Sequence, residues 1–275
     1  MLAISLGILV GLVLGLTGAG GSVLAVPLLI WGMGWSLPQA IPTALIAVAL
    51  AAFVGTATAW PQGIVRYRAA ITMASTSILT APLGLYTASR LPVSRLHIIF
   101  ALVLVVVSIR MILQARTAPE ETRVVLAGMK TDKEDPTEPV CRMNPLTGQL
   151  KWTRPCALAI SGSGLLTGFL SGLLGVGGGF IIVPMLRAMT DLSFHAAVAT
   201  SLMAITITSL ATVGIAAYQG QALPWHVAAP FAAGALAGML AGRLFAGKLA
   251  GPSLQLGFAG LMLIISGSML VQTLV

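Results

Sequence analysis

The sequence predicts an all-α polytopic membrane protein built from two homologous four-segment repeats, inverted relative to one another, with broken or re-entrant helices at segments 1 and 5. Three observations predict it. Of 275 residues, 57% are hydrophobic and only 8% charged, where a soluble domain carries roughly 25% charged residues. The apolar stretches are long and do not alternate, which favours helices over the ~10-residue alternating strands of a membrane barrel. The third observation is a glycine-rich run, Gly18-Ala19-Gly20-Gly21-Ser22, that interrupts the first apolar segment and returns as Gly175-Val176-Gly177-Gly178-Gly179.

Eight apolar blocks follow in order, at about 2–31, 41–60, 70–89, 96–113, 157–186, 196–217, 225–246 and 253–274, each bounded by turn or charge signals. They group into a first membrane repeat (1–113), a hydrophilic linker (114–155) and a second membrane repeat (156–275). No Lys or Arg precedes the first apolar run, and membrane sequence continues beyond it, so a cleaved signal peptide is not expected. The linker mixes both signs of charge and reads first as a solvated connection; within it, Asn144-Pro145-Leu146-Thr147-Gly148 followed by Gln149-Leu150-Lys151-Trp152 suggests a turn and short hairpin.

The halves share a register. Pro27 and Pro184 are 157 residues apart, and at that offset Gly11, Gly15, Gly18, Gly20 and Gly21 fall on Gly168, Gly172, Gly175, Gly177 and Gly178. Thr43-Ala44-Leu45 falls on Thr200-Ser201-Leu202, and Gln62-Gly63 on Gln219-Gly220. This is a duplication.

Leu2 to Leu16 makes ~22 Å of helix, short of the ~30 Å hydrocarbon core, so blocks one and five either cross with a break or re-enter. Charge arbitrates. If both re-enter, Arg90 and Arg95 lie on one side and the other thirteen basic residues on the opposite side. The positive-inside rule then makes the linker cytoplasmic and places both termini outside. Three crossings per half, an odd number, invert one half relative to the other.

The net charge of +8 is explained by this topology, and nucleic-acid binding is not expected. The two cysteines, Cys141 and Cys156, lack CxxC spacing and are expected to be unpaired thiols, with neither a disulfide framework nor a zinc site. His97, His195 and His226 are scattered at segment ends, so no metal or cofactor is expected, and no paired carboxylates or Ser-His-Asp arrangement suggests an enzyme. All seven acidic residues lie outside the apolar blocks, so no membrane-depth carboxylate is available to couple protons or sodium. The interior offers glycine backbone, hydroxyls and the amides of Gln62 and Gln219 instead, which suits an anion or a neutral polar solute held by N–H groups and helix N-termini. The candidate substrate-binding residues are Thr17, Gly18, Ala19, Gly20, Gly21, Ser22, Thr43, Gly175, Val176, Gly177, Gly178, Gly179, Thr200 and Ser201. Helices restarting at Gly20-Gly21 and Gly177-Gly178 would aim two N-termini inward. Gly11/Gly15 and Gly168/Gly172 read instead as close-packing glycines.

The paired motifs at 15–27 (Gly-Leu-Thr-Gly-Ala-Gly-Gly-Ser-Val-Leu-Ala-Val-Pro) and 172–184 (Gly-Leu-Leu-Gly-Val-Gly-Gly-Gly-Phe-Ile-Ile-Val-Pro), with 40–45 and 197–202, resemble the TauE/SafE family of membrane transporters. That resemblance implies a bacterial inner-membrane protein exporting sulfite or organosulfonates such as sulfoacetate. Other readings are transport of another small anion, with uptake included, or a membrane scaffold whose linker binds a partner. The expected partners are a small anionic solute and the lipid bilayer; a homo-oligomer is compatible with the sequence.

Overall fold

The computed structural model describes residues 1–18, 20–117, 141, 150, 152–190, 192, 194–218, 224–249, 256–257, 259–260 and 262–267. Ala19, most of the linker with its suggested hairpin, and Gln219-Gly220 lie outside the described residues. The first repeat contributes α1 (Leu2–Thr17), α2 (Gly20–Met33), α3 (Leu37–Ala59), α4 (Tyr67–Arg90) and α5 (Val93–Thr117). The second contributes α6 (Arg154–Leu174), α7 (Gly179–Met189), α8 (Phe194–Tyr218) and α9 (Trp225–Leu249). Five helices are long and apolar enough to cross a membrane among the described residues, those beginning at Gln39, Tyr67, Arg154, His195 and Trp225.

The lipid-facing surface follows from composition. On α4 the buried residues Ala69, Ala70, Met73, Ser77, Ala81, Gly84 and Leu85 recur at helical spacing, while Leu79, Leu83 and Tyr86 on the other side are 71%, 59% and 58% exposed. Apolar side chains exposed to that extent belong in hydrocarbon, where burying them inside the protein brings no gain. By contrast α2 is buried almost all round, from Gly20 to Pro27 and at Leu29, as an enclosed apolar helix should be.

Small residues decide the tightest packing. α1 and α9 form the most extensive helix pair, and α4 with α6 the next. A Cβ on Gly7 would meet Phe231 O, one on Gly11 would stand 1.9 Å from Ala235 O, and one on Gly15 would meet Met239 O. Contacts that advance together along both chains make α1 and α9 parallel. The α4–α6 pair repeats the pattern, with Gly164, Gly168 and Gly172 against Met73, Ser77 and Ala81. Ser77 Oγ donates to Gly164 O at 2.7 Å and Thr80 Oγ1 to Leu165 O at 2.7 Å. At the offset of 157, α1 corresponds to α6 and α4 to α9, so each repeat's first helix packs on the other repeat's fourth.

Blocks one and five each divide into two helices that fold back on themselves. In the first, a Cβ on Gly21 would meet Val10 O and Leu14, while Gly32 lies against Leu6 and Leu2, so α2 retraces α1 in the opposite direction. In the second, Gly178 lies against Thr167, and the end of α7 returns to the start of α6. There Cys141 N–H donates to Met189 O at 2.9 Å, Cys141 pairs with Thr190 in an isolated parallel bridge, and Cys141 is disulfide-bonded to Cys156, 15 residues on, with Cα atoms 5.0 Å apart. This corrects the expectation of unpaired thiols: the spacing carries no motif, but the return of α7 delivers the linker's Cys141 to the first turn of α6. The 21-residue α6 would be long enough to cross; the fold-back of α7 shows that length alone does not settle its path.

α8 crosses the middle of the bundle opposite α3. Its first third meets the far end of α3, where Ala59 and Val65 cluster with Ala199, and Arg66 N–H donates to Thr200 Oγ1 at 3.0 Å. Leu202 also lies against Gly55. The two helices, equivalent under the duplication, therefore run antiparallel.

Candidate functional site

Both glycine runs begin by ending a helix in the same way. Gly18 (φ 75°) and Gly175 (φ 68°) adopt the left-handed conformation and donate their N–H groups to Leu14 O and Ser171 O, the glycine C-cap geometry that a side chain opposes. The runs then differ. The first turn is short, and α2 starts at Gly20, whose N–H is capped by Thr17 Oγ1 at 2.9 Å. The second continues through Gly177 and Gly178, both at φ 68°, and α7 starts at Gly179, two residues after the expected restart at Gly177. Its N-cap is Gly178, with no side-chain cap.

The tips of the two hairpins meet. A Cβ on Gly179 would stand 3.3 Å from Ser22 Oγ, and both Gly177 and Gly179 lie against Ile205 of α8. Gly175 packs on Ile41 and Gly177 near Leu45, both on α3, while Gly18 packs on Val198 of α8. α3 and α8 thus clamp the turns from either side. The first-turn N–H groups of α2 and α7 are consequently directed inward, each helix end carrying about half a positive charge.

Several expected ligand hydroxyls are already engaged. Thr17 Oγ1 donates to Val13 O at 2.8 Å besides capping Gly20; Ser201 Oγ donates to Val198 O at 2.7 Å and to Gly18 O at 3.3 Å; Thr200 Oγ1 accepts from Arg66. Thr43, between Ile41 and Leu45, has a buried hydroxyl without a partner. Val176 is buried apolar lining.

Four features were not anticipated from sequence. Thr167, Ser171 and Ser209 are buried, their hydroxyls are unpartnered, and two of them flank the second turn: a Cβ on Gly177 would stand 2.6 Å from Ser209 Oγ, and one on Gly178 would stand 2.2 Å from Thr167 Cγ2. An unmade hydrogen bond at a buried hydroxyl costs about 1–3 kcal/mol, so two beside the turn, with Ser171 one helical turn before Gly175, mark a place equipped for a polar guest. At offset 157 they correspond to Val10, Leu14 and Ala52; a search restricted to duplicated residues passes over them. The fourth is Arg243 of α9, half-buried, which donates to Gly55 O and Thr58 Oγ1 and so places a cation at the C-terminal end of α3. No cluster of three metal-ligating side chains occurs among the described residues.

Two interior helix turns meeting between long apolar helices are the arrangement of a polytopic membrane transporter. The chain belongs to the family described as sulfite exporter TauE/SafE, whose model matches residues 3–269. It is 32% identical over 251 residues to a probable membrane transporter protein of Xylella fastidiosa (strain Temecula1 / ATCC 700964), covering 90% of this chain and 85% of the relative. A probable membrane transporter protein of strain 9a5c is 33% identical, covering 90% and 84%. No solved structure matches the chain.

Proposed function

We propose that this transporter carries a small sulfur oxyanion, sulfite or an organosulfonate such as sulfoacetate, outward across a bacterial inner membrane. The observation that carries the reading is the set of unpartnered hydroxyls, Thr167, Ser171 and Ser209, around a glycine turn that opens an uncapped helix N-terminus. Such a site offers donors and partial positive charge without an ionised side chain. A tetrahedral or pyramidal oxyanion can accept from several directions at once. The family description supports the sulfur chemistry. A potential negative inside drives an anion outward by ~2.3 kcal/mol per charge per 100 mV, so export needs no coupling carboxylate.

The turns are buried on all sides, Gly18 and Gly175 to Gly179 included, so a solute reaches them only when helices part. The two halves, acting as inverted repeats, would open alternately to either side. The antiparallel α3–α8 pair and the exchanged α1–α9 and α4–α6 contacts support that arrangement. The linker side is assigned to the cytoplasm because Arg66, Arg68, Arg154 and Arg187 lie at helix ends on that face, with only Arg90 and Arg95 at the opposite turn. The Cys141–Cys156 disulfide favours the reverse orientation, since disulfides persist in oxidising compartments.

Flux of labelled sulfite, sulfoacetate and thiosulfate in proteoliposomes tests the substrate class. Saturable flux of at least one, accelerated by an imposed potential, is expected. Absence of flux for all three removes sulfur oxyanions as the cargo.

A further inference from the structure

A cavity of about 300 Å³ opens on the linker side of the bundle, between the turn that joins α3 to α4 and the end of the linker. Arg66, Tyr67 and Arg68 line it from the start of α4, Trp60 from the preceding turn, and Leu150 and Trp152 from the linker. Arg66 spends one terminal nitrogen on Gly63 O at 3.2 Å, while its Nε is shut off from solvent and has no partner. A buried guanidinium N–H left unmade is costly, and a guanidinium presents its donors as a fork matched to tetrahedral oxyanions.

We propose that this cavity is a binding site for a phosphate- or sulfate-type oxyanion, held by the Arg66 and Arg68 guanidiniums and walled by Trp60, Tyr67 and Trp152. The aromatics are amphipathic and stand partly exposed, Trp60 at 59%, Tyr67 at 46% and Trp152 at 36%, as side chains at a membrane interface do. The oxyanion is supplied either by the headgroup of an anionic phospholipid or by a free anion in the aqueous phase. Because the linker contributes Leu150 and Trp152, and Cys156 four residues beyond Trp152 is tied to Cys141, an occupied cavity fastens the linker to the bundle. Arg66 N–H also holds Thr200 of α8, which connects the cavity floor to the helix that clamps Gly18.

The site is separate from the glycine turns, and the proposal does not rest on the transport reading. Native mass spectrometry of the purified full chain reads lipid retention with phosphatidylglycerol and, separately, phosphatidylcholine; sulfate titration followed by Trp fluorescence reads the free anion. The expected result is preferential binding of phosphatidylglycerol, of sulfate, or of both, weakened about fivefold by R66Q and again by R68Q, since a basic residue near an anionic surface contributes about 1 kcal/mol. Lipid preference without a sulfate response identifies the headgroup as the source, and the converse identifies the free anion. R68Q alters an exposed residue and serves as the variant whose folding is not in question. Equal binding of both lipids together with no sulfate response, or binding unchanged in R66Q and R68Q, overturns the proposal.

Discussion

Glycine has three distinct jobs in this chain, and substitution separates them. Gly63 has φ 65° with nothing within 4 Å of a built Cβ, so Gly63→Ala meets only the left-handed backbone cost, about 1 kcal/mol. Gly18 has φ 75° and a Cβ there would stand 2.1 Å from Val198; Gly18→Ala adds overpacking of about 1–3 kcal/mol. Thermal unfolding in one detergent should therefore rank Gly18→Ala well below Gly63→Ala, and equal losses would contradict the packing described at the turn. The left-handed caps at Gly18 and Gly175 were legible as a repeated glycine. The hydroxyls of Thr167, Ser171 and Ser209 were not, because the first repeat holds Val10, Leu14 and Ala52 in their places and the duplication gives them no echo.

At the scale of elements, glycine stripes set the distance between helices. Gly7, Gly11 and Gly15 on α1 lie against the backbone of Phe231, Ala235 and Met239, and Gly234, Gly238 and Gly242 on α9 against the backbone of Ile4, Ile8 and Leu12, so the helices approach too closely for any side chain at these positions. Gly11→Leu should force the pair apart and lower stability by several kcal/mol or prevent accumulation of folded protein, as overpacking against immovable backbone does. Gly214→Leu, at a position with open space around it, should leave thermal unfolding unchanged within about 0.5 kcal/mol. A comparable loss in both would mean that leucine bulk in the bilayer, not the α1–α9 interface, is responsible. The close-packing role of Gly11 and Gly15 was readable from their spacing. Which helix they touch was not, since the partner α9 lies more than 200 residues away and pattern alone carries no long-range pairing.

At the scale of the whole molecule, the duplication was visible as a constant offset, while the path of the chain depended on two hairpins that length could not identify. Leu2 to Thr17 is short for a crossing, but α6, its equivalent, is long enough for one; Gly32 lies back against α1, and Cys141 joins the end of α7 to the start of α6. A path of six crossings with two hairpins would put Ala88 and Val275 on one side, whereas eight crossings would separate them. Topology reporters fused at those two positions should give the same sign, and opposite signs would exclude the hairpin path. The sign itself decides orientation: a periplasmic reading at Ala88 puts the linker in the cytoplasm, as the basic residues favour, and a cytoplasmic reading puts the disulfide in the oxidising compartment.

The central claim is that solute is held at the second glycine turn by hydroxyls that fold the protein without partners. Ser209 isolates it, because removing a buried hydroxyl that bonds to nothing relieves its desolvation cost and so does not weaken folding, but takes a donor from the guest. The most direct measurement is the KM for sulfite in proteoliposomes of wild type and Ser209→Ala, with thermal unfolding recorded for both. Stability should be equal to or above that of the wild type, and KM raised about tenfold, the worth of one hydrogen bond to a charged group. An unchanged KM in Ser209→Ala protein at least as stable as the wild type would contradict it.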